Sequence, residues 1–127
     1  MEKMTENAIT ILIVDDEASV RMALRAELED AAMTVIEARN ATEALHALEA
    51  NIQIEAVLSD IRMPGGFDGV ALARLVERRW PSVRILLTSG ERAITDRDLP
   101  SGTRYVAKPY ESRQVVATIR GMVRGYV

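Results

Sequence analysis

Short apolar runs of strand length alternate with helical patterns along this chain, and polar residues stand directly after four of the runs. Ala8–Val14 is followed by Asp15-Asp16, Ile54–Ser59 by Asp60, Val83–Leu87 by Thr88-Ser89, and Tyr105–Ala107 by Lys108-Pro109. The stretch Ile9–Val14 is nearly continuous apolar, as expected of a central strand covered on both faces. A helix follows with the stripe Val20, Leu24, Leu28 and Ala31, then a short second strand, Thr34–Ala38. Asn40 with Glu43 three residues later forms a capping-box-like start for a helix carrying Ala44, Leu45 and Leu48. Asp68 is placed to cap a third helix, Gly69–Arg79, which Pro81 stops. Arg104–Ala107 is the fifth strand, and Val115, Ile119, Met122 and Val123 mark a last helix.

Such alternation implies an α/β fold, a parallel sheet covered by helices on both faces. Right-handed crossovers narrow the topology to the doubly wound type, where ligands sit outside the carboxyl ends of the strands. All four polar stations fall at that end. One interval breaks the rhythm: residues 89–103 offer only Ala93, Ile94 and Leu99 as apolar residues and carry Asp96, Asp98, Pro100 and Gly102. A short or irregular fourth helix is expected there.

The 127 residues suffice for one domain with a proper core, taken as residues 1–127. A formal charge of −3, with both signs interleaved, argues against direct nucleic-acid binding driven by bulk electrostatics. Without cysteine there is no disulfide and no thiolate metal site. No apolar stretch approaches the roughly 18 residues of a membrane span, and the charged Met1-Glu-Lys-Met start is no signal peptide. A soluble cytoplasmic protein, with no membrane partner, is the expectation.

Gathered at one sheet end, the stations bring three carboxylates, a hydroxyl and an ammonium together. Two carboxylates about 5 Å apart repel by about 3 kcal/mol at an effective dielectric of about 20. Clustering Asp15, Asp16 and Asp60 therefore calls for a cation, and hard oxygen ligands on a partly open site favour Mg²⁺, with Mn²⁺ also suited. Asp60 is the candidate nucleophile, since a carboxylate can accept a phosphoryl group as an acyl phosphate. Phosphoryl transfer asks mainly for positioning and charge neutralisation, which Lys108 and the Thr88 hydroxyl can supply. The ordinary roles at these positions are a helix cap for Asp16, a strand-end turn for Asp60 and a solvated charge for Lys108. Elsewhere, His46 reads as exposed and inert, and Met22, Met33 and Met122 as core filler. Trp80 reads as a plug at the end of the third helix, and Arg120 with Arg124 as a solvated face.

The segments Ile11-Leu-Ile-Val-Asp-Asp-Glu, Leu58-Ser-Asp-Ile-Arg-Met-Pro, Leu86-Leu-Thr-Ser-Gly and Tyr105-Val-Ala-Lys-Pro-Tyr, in that order, resemble the response-regulator receiver family. The resemblance implies a flavodoxin-like five-stranded sheet of order 2-1-3-4-5; a chemotaxis receiver is itself a standard example of that order. It implies phosphorylation of Asp60 by a sensor histidine kinase or histidine phosphotransfer protein, and a downstream protein target reading the result. Asp16, Asp60 and the backbone carbonyl of Arg62 would be metal ligands, with Asp15 holding a metal-bound water. Lys108 would pair with the phosphoryl group and Thr88 would be the switch hydroxyl. Tyr105 would be the aromatic that rotates into the space Thr88 vacates, and the Lys108-Pro109 bond would be cis. Such a module catalyses only its own phosphorylation and slow hydrolysis, and its output is binding. It is expected to be either a stand-alone receiver or one cut from a longer protein.

Two departures from the family pattern stand out. One extra residue lies between Asp60 and Gly69, taken up by Gly65-Gly66, and is expected to loosen the loop that supplies the Arg62 carbonyl. The weak segment Glu91–Gly102 is expected to order only on phosphorylation or partner binding. Arg62 and Gly90 occupy positions that tune loss of the phosphoryl group in the family. An Asp-nucleophile phosphatase of the haloacid-dehalogenase type uses a similar residue set, but its nucleophile ends the first strand as Asp-x-Asp, and here that strand ends in adjacent Asp15-Asp16. A pseudo-receiver without phosphorylation is opposed by the intact acidic set. A flavin-binding protein is opposed by two anions where its phosphate loop would lie.

Overall fold

A computed structural model describes residues 8–62, 68–90 and 99–125. Its strands are β1 (Thr10–Val14), β2 (Thr34–Ala38), β3 (Ala56–Asp60), β4 (Arg84–Ser89) and β5 (Thr103–Ala107). The helices among the described residues are α1 (Ala18–Asp30), α2 (Ala41–Ala50), α3 (Gly69–Arg79) and α4 (Ser112–Arg124). All ladders are parallel, in the order β2-β1-β3-β4-β5, the order implied by the resemblance.

The side-chain alternation of the strands divides the core in two. Ile11 and Ile13 of β1, Leu58 of β3 and Leu86 of β4 join Leu24 and Leu28 of α1 and Val115 and Ile119 of α4. On the opposite face Leu12, Val14, Val57, Ile85 and Leu87 meet Leu48 of α2 and Leu72 and Val76 of α3. The sheet is thus wound on both sides. β1 is buried along its whole length, which explains its unbroken apolar run.

Local chemistry sets the helix starts. The Asn40 side chain accepts from the Glu43 N–H at 2.8 Å, and Asp68 Oδ1 accepts from the Ala71 N–H at 2.9 Å. The reciprocal half of the first box is displaced by one residue, because Glu43 Oε1 accepts from the N–H of Arg39 at 2.8 Å. At the other end of α3, Trp80 is the C-cap residue, half-buried, with the Arg79 guanidinium 4.5 Å from its ring centroid.

Several expectations are corrected. The cap of α1 is Glu17, whose side chain makes no capping bond, so Asp16 does not cap the helix. Asp60, Thr88 and Ser89 are the last residues of their strands and do not follow them. Met33 is buried and Met122 half-buried, but Met22 is 67% exposed, because it stands two residues, more than half a helical turn, from both Val20 and Leu24. His46 is exposed as expected. Arg120 and Arg124 are exposed too, yet each reaches a partner, the Ala31 carbonyl at 2.8 Å and Glu55 at 3.3 Å. Residues 91–98 of the expected irregular fourth helix and the Gly65-Gly66 insertion lie outside the described residues.

Burial separates residues of similar apolarity. Leu58→Ala, at 2% exposure, is expected to cost about 3 kcal/mol in chemical denaturation. Ile52→Ser, at 94% exposure, is expected to stay within about 0.5 kcal/mol of the parent.

Candidate functional site

Parallel register brings the polar stations together. Val14 pairs with Ser59, so the next residues, Asp15 and Asp60, leave neighbouring strands at the same level. Asp60 pairs in turn with Thr88, and Ser89 with Ala107, just before Lys108. Lys108 Nζ lies 3.3 Å from Asp60 Oδ2, and the peptide joining Lys108 to Pro109 is cis. The Lys108 N–H donates to the Ser89 carbonyl at 2.9 Å, which continues the β4–β5 ladder to the foot of the lysine.

The carboxylates differ in environment. Asp15 is 5% exposed; its N–H donates to Ala38 O at 3.1 Å and its Oδ1 accepts from the Glu17 N–H at 2.9 Å. Asp16 is exposed, and the Asp60 side chain is 16% exposed. Burial above all, then the charges of Asp60 and Asp16, push the Asp15 carboxyl above its ordinary range, against the Glu17 N–H and Lys108. Three carboxylates thus share one field with the Lys108 ammonium. Among the described residues no three His, Cys, Asp or Glu side chains form a ready-made metal cage. The donor set suits an ion that keeps several waters and needs only one or two carboxylates, which is the habit of Mg²⁺.

Thr88 is 4% exposed at the carboxyl end of β4, next to Asp60 in the ladder. Tyr105, on the edge strand, is half-buried against the α3 side of the core. Its hydroxyl is buried with no hydrogen-bond partner among the described residues. Arg62 and Gly90 are exposed, and a Cβ built on Gly90 would lie 4.0 Å from Lys108 Cβ and Cδ, so a side chain there would reach open space beside the lysine.

Two further residues bear on the site. Gly69 opens α3 against the strand that carries Asp60: a Cβ there would lie 2.6 Å from the Asp60 carbonyl oxygen and 2.9 Å from Ile61 Cα. Its N–H donates to the Ile61 carbonyl at 2.7 Å, which pins the helix start to the end of β3. A glycine in a helical first turn, where most residues are more stable, was the available signal. Tyr110 is half-buried beside α1; burial chiefly, with Asp15 and Asp60 adding, raises its phenol, while Lys108 opposes. It is the last residue of the Lys108 segment, and its distance from the carboxylates was hidden by the fold.

Gly69→Ala is expected to cost about 1–3 kcal/mol, because the clash is with backbone, and to shift the Asp60 and Ile61 amide resonances in an NMR comparison. Asp15→Asn keeps the acceptor for Glu17 and removes a disfavoured charge. Without divalent cations it is expected to raise the melting temperature by roughly 2–4 °C at neutral pH. The folded protein holds the Asp15 proton more tightly than the unfolded chain does. The gain is therefore full above the raised pKa and fades as pH falls toward the ordinary value of 3.8, which thermal melts across that range would show.

Residues 11–120 match the family described as the response regulator receiver domain. The transcriptional regulatory protein ResD of Bacillus subtilis is 37% identical over 121 residues, 93% of this chain and 49% of ResD. The sensor kinase CckA of Brucella abortus is 32% identical over 130 residues, 97% of this chain and 14% of CckA. A crystal structure of a response regulator receiver protein from Sinorhizobium medicae superposes with a TM-score of 0.85 at 27% identity, covering 94% of this chain and 97% of its own. The chain therefore spans about half of ResD and a much smaller share of CckA. Family match, relatives and sheet order agree: the chain belongs to the response-regulator receivers, the phosphoacceptor domains of two-component signalling.

Proposed function

We propose that residues 1–127 form a single receiver domain in which Asp60 accepts a phosphoryl group from a phosphohistidine of a sensor histidine kinase or histidine phosphotransfer protein. The observation that carries this reading is the Lys108–Asp60 contact of 3.3 Å at a sheet end that also gathers Asp15 and Thr88. Asp60 Oδ attacks phosphorus, the N–P bond to the partner's imidazole breaks, and an aspartyl phosphate forms. Asp16, Asp60 and the Arg62 carbonyl would hold Mg²⁺, or Mn²⁺, with Asp15 on a bound water. The ion supplies the positive charge that a phosphoryl group among carboxylates needs.

Lys108 then exchanges its contact with the Asp60 carboxylate for one with a phosphoryl oxygen. Thr88, adjacent in the ladder, turns its hydroxyl toward another phosphoryl oxygen. Among the described residues no hydrogen bond holds the Tyr105 ring in its half-buried place, and a buried hydroxyl without a partner costs about 1–3 kcal/mol. The ring is free to follow Thr88 and to carry the change to the surface of β5. Chemistry of this kind is self-directed, with no turnover of an outside substrate beyond phosphoryl uptake and hydrolysis.

The output is a change in binding to a downstream protein. Relatives include transcriptional regulatory proteins and a sensor kinase, so the target differs among them. We assign no direct nucleic-acid contact to this domain, in keeping with its net charge of −3. The setting is cytoplasmic; among the described residues no helix is long and apolar enough to cross a membrane.

Incubation with acetyl phosphate and Mg²⁺, read by intact-protein mass spectrometry, is expected to add one phosphoryl group to the wild type and none to Asp60→Ala. Chelation of the metal is expected to slow the reaction by at least roughly tenfold. A wild type that stays unmodified would make the domain a phosphorylation-independent binding module. Turnover of small phosphomonoesters that survives Asp60→Asn but not Asp15→Asn would make it a phosphatase.

A further inference from the structure

The peptide that links Asp15 to Asp16 is gripped from outside the acidic loop by one side chain. Arg21 Nη1 donates to the Asp15 carbonyl at 2.7 Å, while Arg21 Nε donates to Glu37 Oε1 at 2.9 Å. The pair is largely shielded, with side-chain exposures of 13% and 23%. Glu37 is steadied from its far side by Arg25 Nη1 at 2.6 Å, and Arg25 also donates to Glu29 at 2.9 Å. The chain of contacts runs from the carboxyl-end half of β2, through the first turn of α1, to the loop that bears two of the three carboxylates.

The loop has few other supports. The Asp15 N–H is taken by Ala38 O and Asp15 Oδ1 by the Glu17 N–H, but α1 begins without a side-chain cap. Among the described residues, the only hydrogen bond recorded to the Asp15 carbonyl comes from Arg21. That carbonyl sets the plane of the Asp15–Asp16 peptide, and rotation of this plane would redirect the exposed Asp16 side chain. Charge matters as well as direction. A lone guanidinium beside the loop would oppose an incoming divalent cation, whereas the ion pair with Glu37 is neutral. Glu37 remains ionised for this purpose, since Arg25 chiefly and then Arg21 hold its carboxyl below the usual range.

We propose that Arg21 and Glu37 form a neutral clamp on the Asp15–Asp16 peptide that positions Asp16 for its divalent cation; this rests on the metal-holding part of the reading above. Arg21 is then a positioning residue, since it touches neither the ion nor the phosphoryl group. Lysine is a poor substitute, because the two bonds leave different nitrogens of one planar fork toward two fixed acceptors.

Calorimetric titration of the full chain with Mg²⁺ tests the clamp, followed by phosphorylation with acetyl phosphate over a range of Mg²⁺. Arg21→Lys and Arg21→Gln are expected to weaken Mg²⁺ binding by roughly tenfold, the lower end of what residues supporting metal ligands cost. Arg21→Lys keeps charge and bulk, so it remains informative where Arg21→Gln fails to fold. Glu37→Gln is expected to weaken binding too, more at low ionic strength, where the uncompensated Arg21 charge is less screened. Arg25→Gln removes two ion pairs of the same network but leaves the Asp15 bond; it is expected to lower the melting temperature and to weaken Mg²⁺ binding less than the Arg21 variants do. At saturating Mg²⁺ the Arg21 variants are expected to regain the wild-type phosphorylation rate. Mg²⁺ affinities of the Arg21 variants within about twofold of wild type, or a rate deficit that saturating Mg²⁺ does not repair, would overturn the clamp. A wild type without measurable Mg²⁺ binding would overturn it as well. A wild type that binds Mg²⁺ yet takes up no phosphoryl group would sink the phosphoacceptor reading while the binding data still decide the clamp.

Discussion

Two-sided burial of the central strands governs this molecule. β1 is enclosed along its full length, and β3 and β4 for all but their end residues, because α1 and α4 cover one face of the sheet and α2 and α3 the other. Strands so enclosed tolerate no unpaired polar group in their span. Polar chemistry is pushed to where the backbone leaves the sheet, and parallel pairing puts those exits at one end. The acidic loop after β1, Asp60, Thr88 and Lys108 meet there as a consequence of topology.

That convergence is electrostatically unfavourable by itself, and the structure shows how the imbalance is distributed. Asp15 carries most of the burial and is pushed toward its protonated form. Asp60 is partly relieved by Lys108, and Asp16 stays in solvent. A site in this state gains from any positive charge that enters, and a phosphoryl group on Asp60 would offer Lys108 a new oxygen partner. The proposed phosphorylation, with a divalent cation at the site, would use both tendencies. Gly69 is the steric counterpart: α3 can start hard against the Asp60 carbonyl only because no Cβ intervenes.

Much of the architecture was legible from residue pattern. Continuous apolar runs marked the buried strands, and Asn40 and Asp68 marked the starts of α2 and α3 through short-range bonds to the third residue onward. The acidic pair was legible as chemistry; the added cap role open to Asp16 is not met, since Glu17 takes the cap position with no side-chain bond. Met22 was misjudged because methionine is apolar in any position, whereas its burial depends on its angle around α1 relative to Val20 and Leu24. Gly69 looked like a helix opener alone; its need for zero side-chain volume is set by the backbone of Asp60 and Ile61, which folds back against it.

What the sequence determined by itself was the class of fold and the inventory at the site. Hydrophobic period and strand-end chemistry are local properties, readable along a chain. Tertiary structure alone decided which groups face each other. Lys108 and Asp60 are 48 residues apart, Arg21 and Glu37 are 16 apart, and nothing local in either pair names its partner. The first contact follows from parallel register carried across β3, β4 and β5. The second follows from α1 packing back over β2, which places a guanidinium where it can hold both Glu37 and the carbonyl between the two acidic residues.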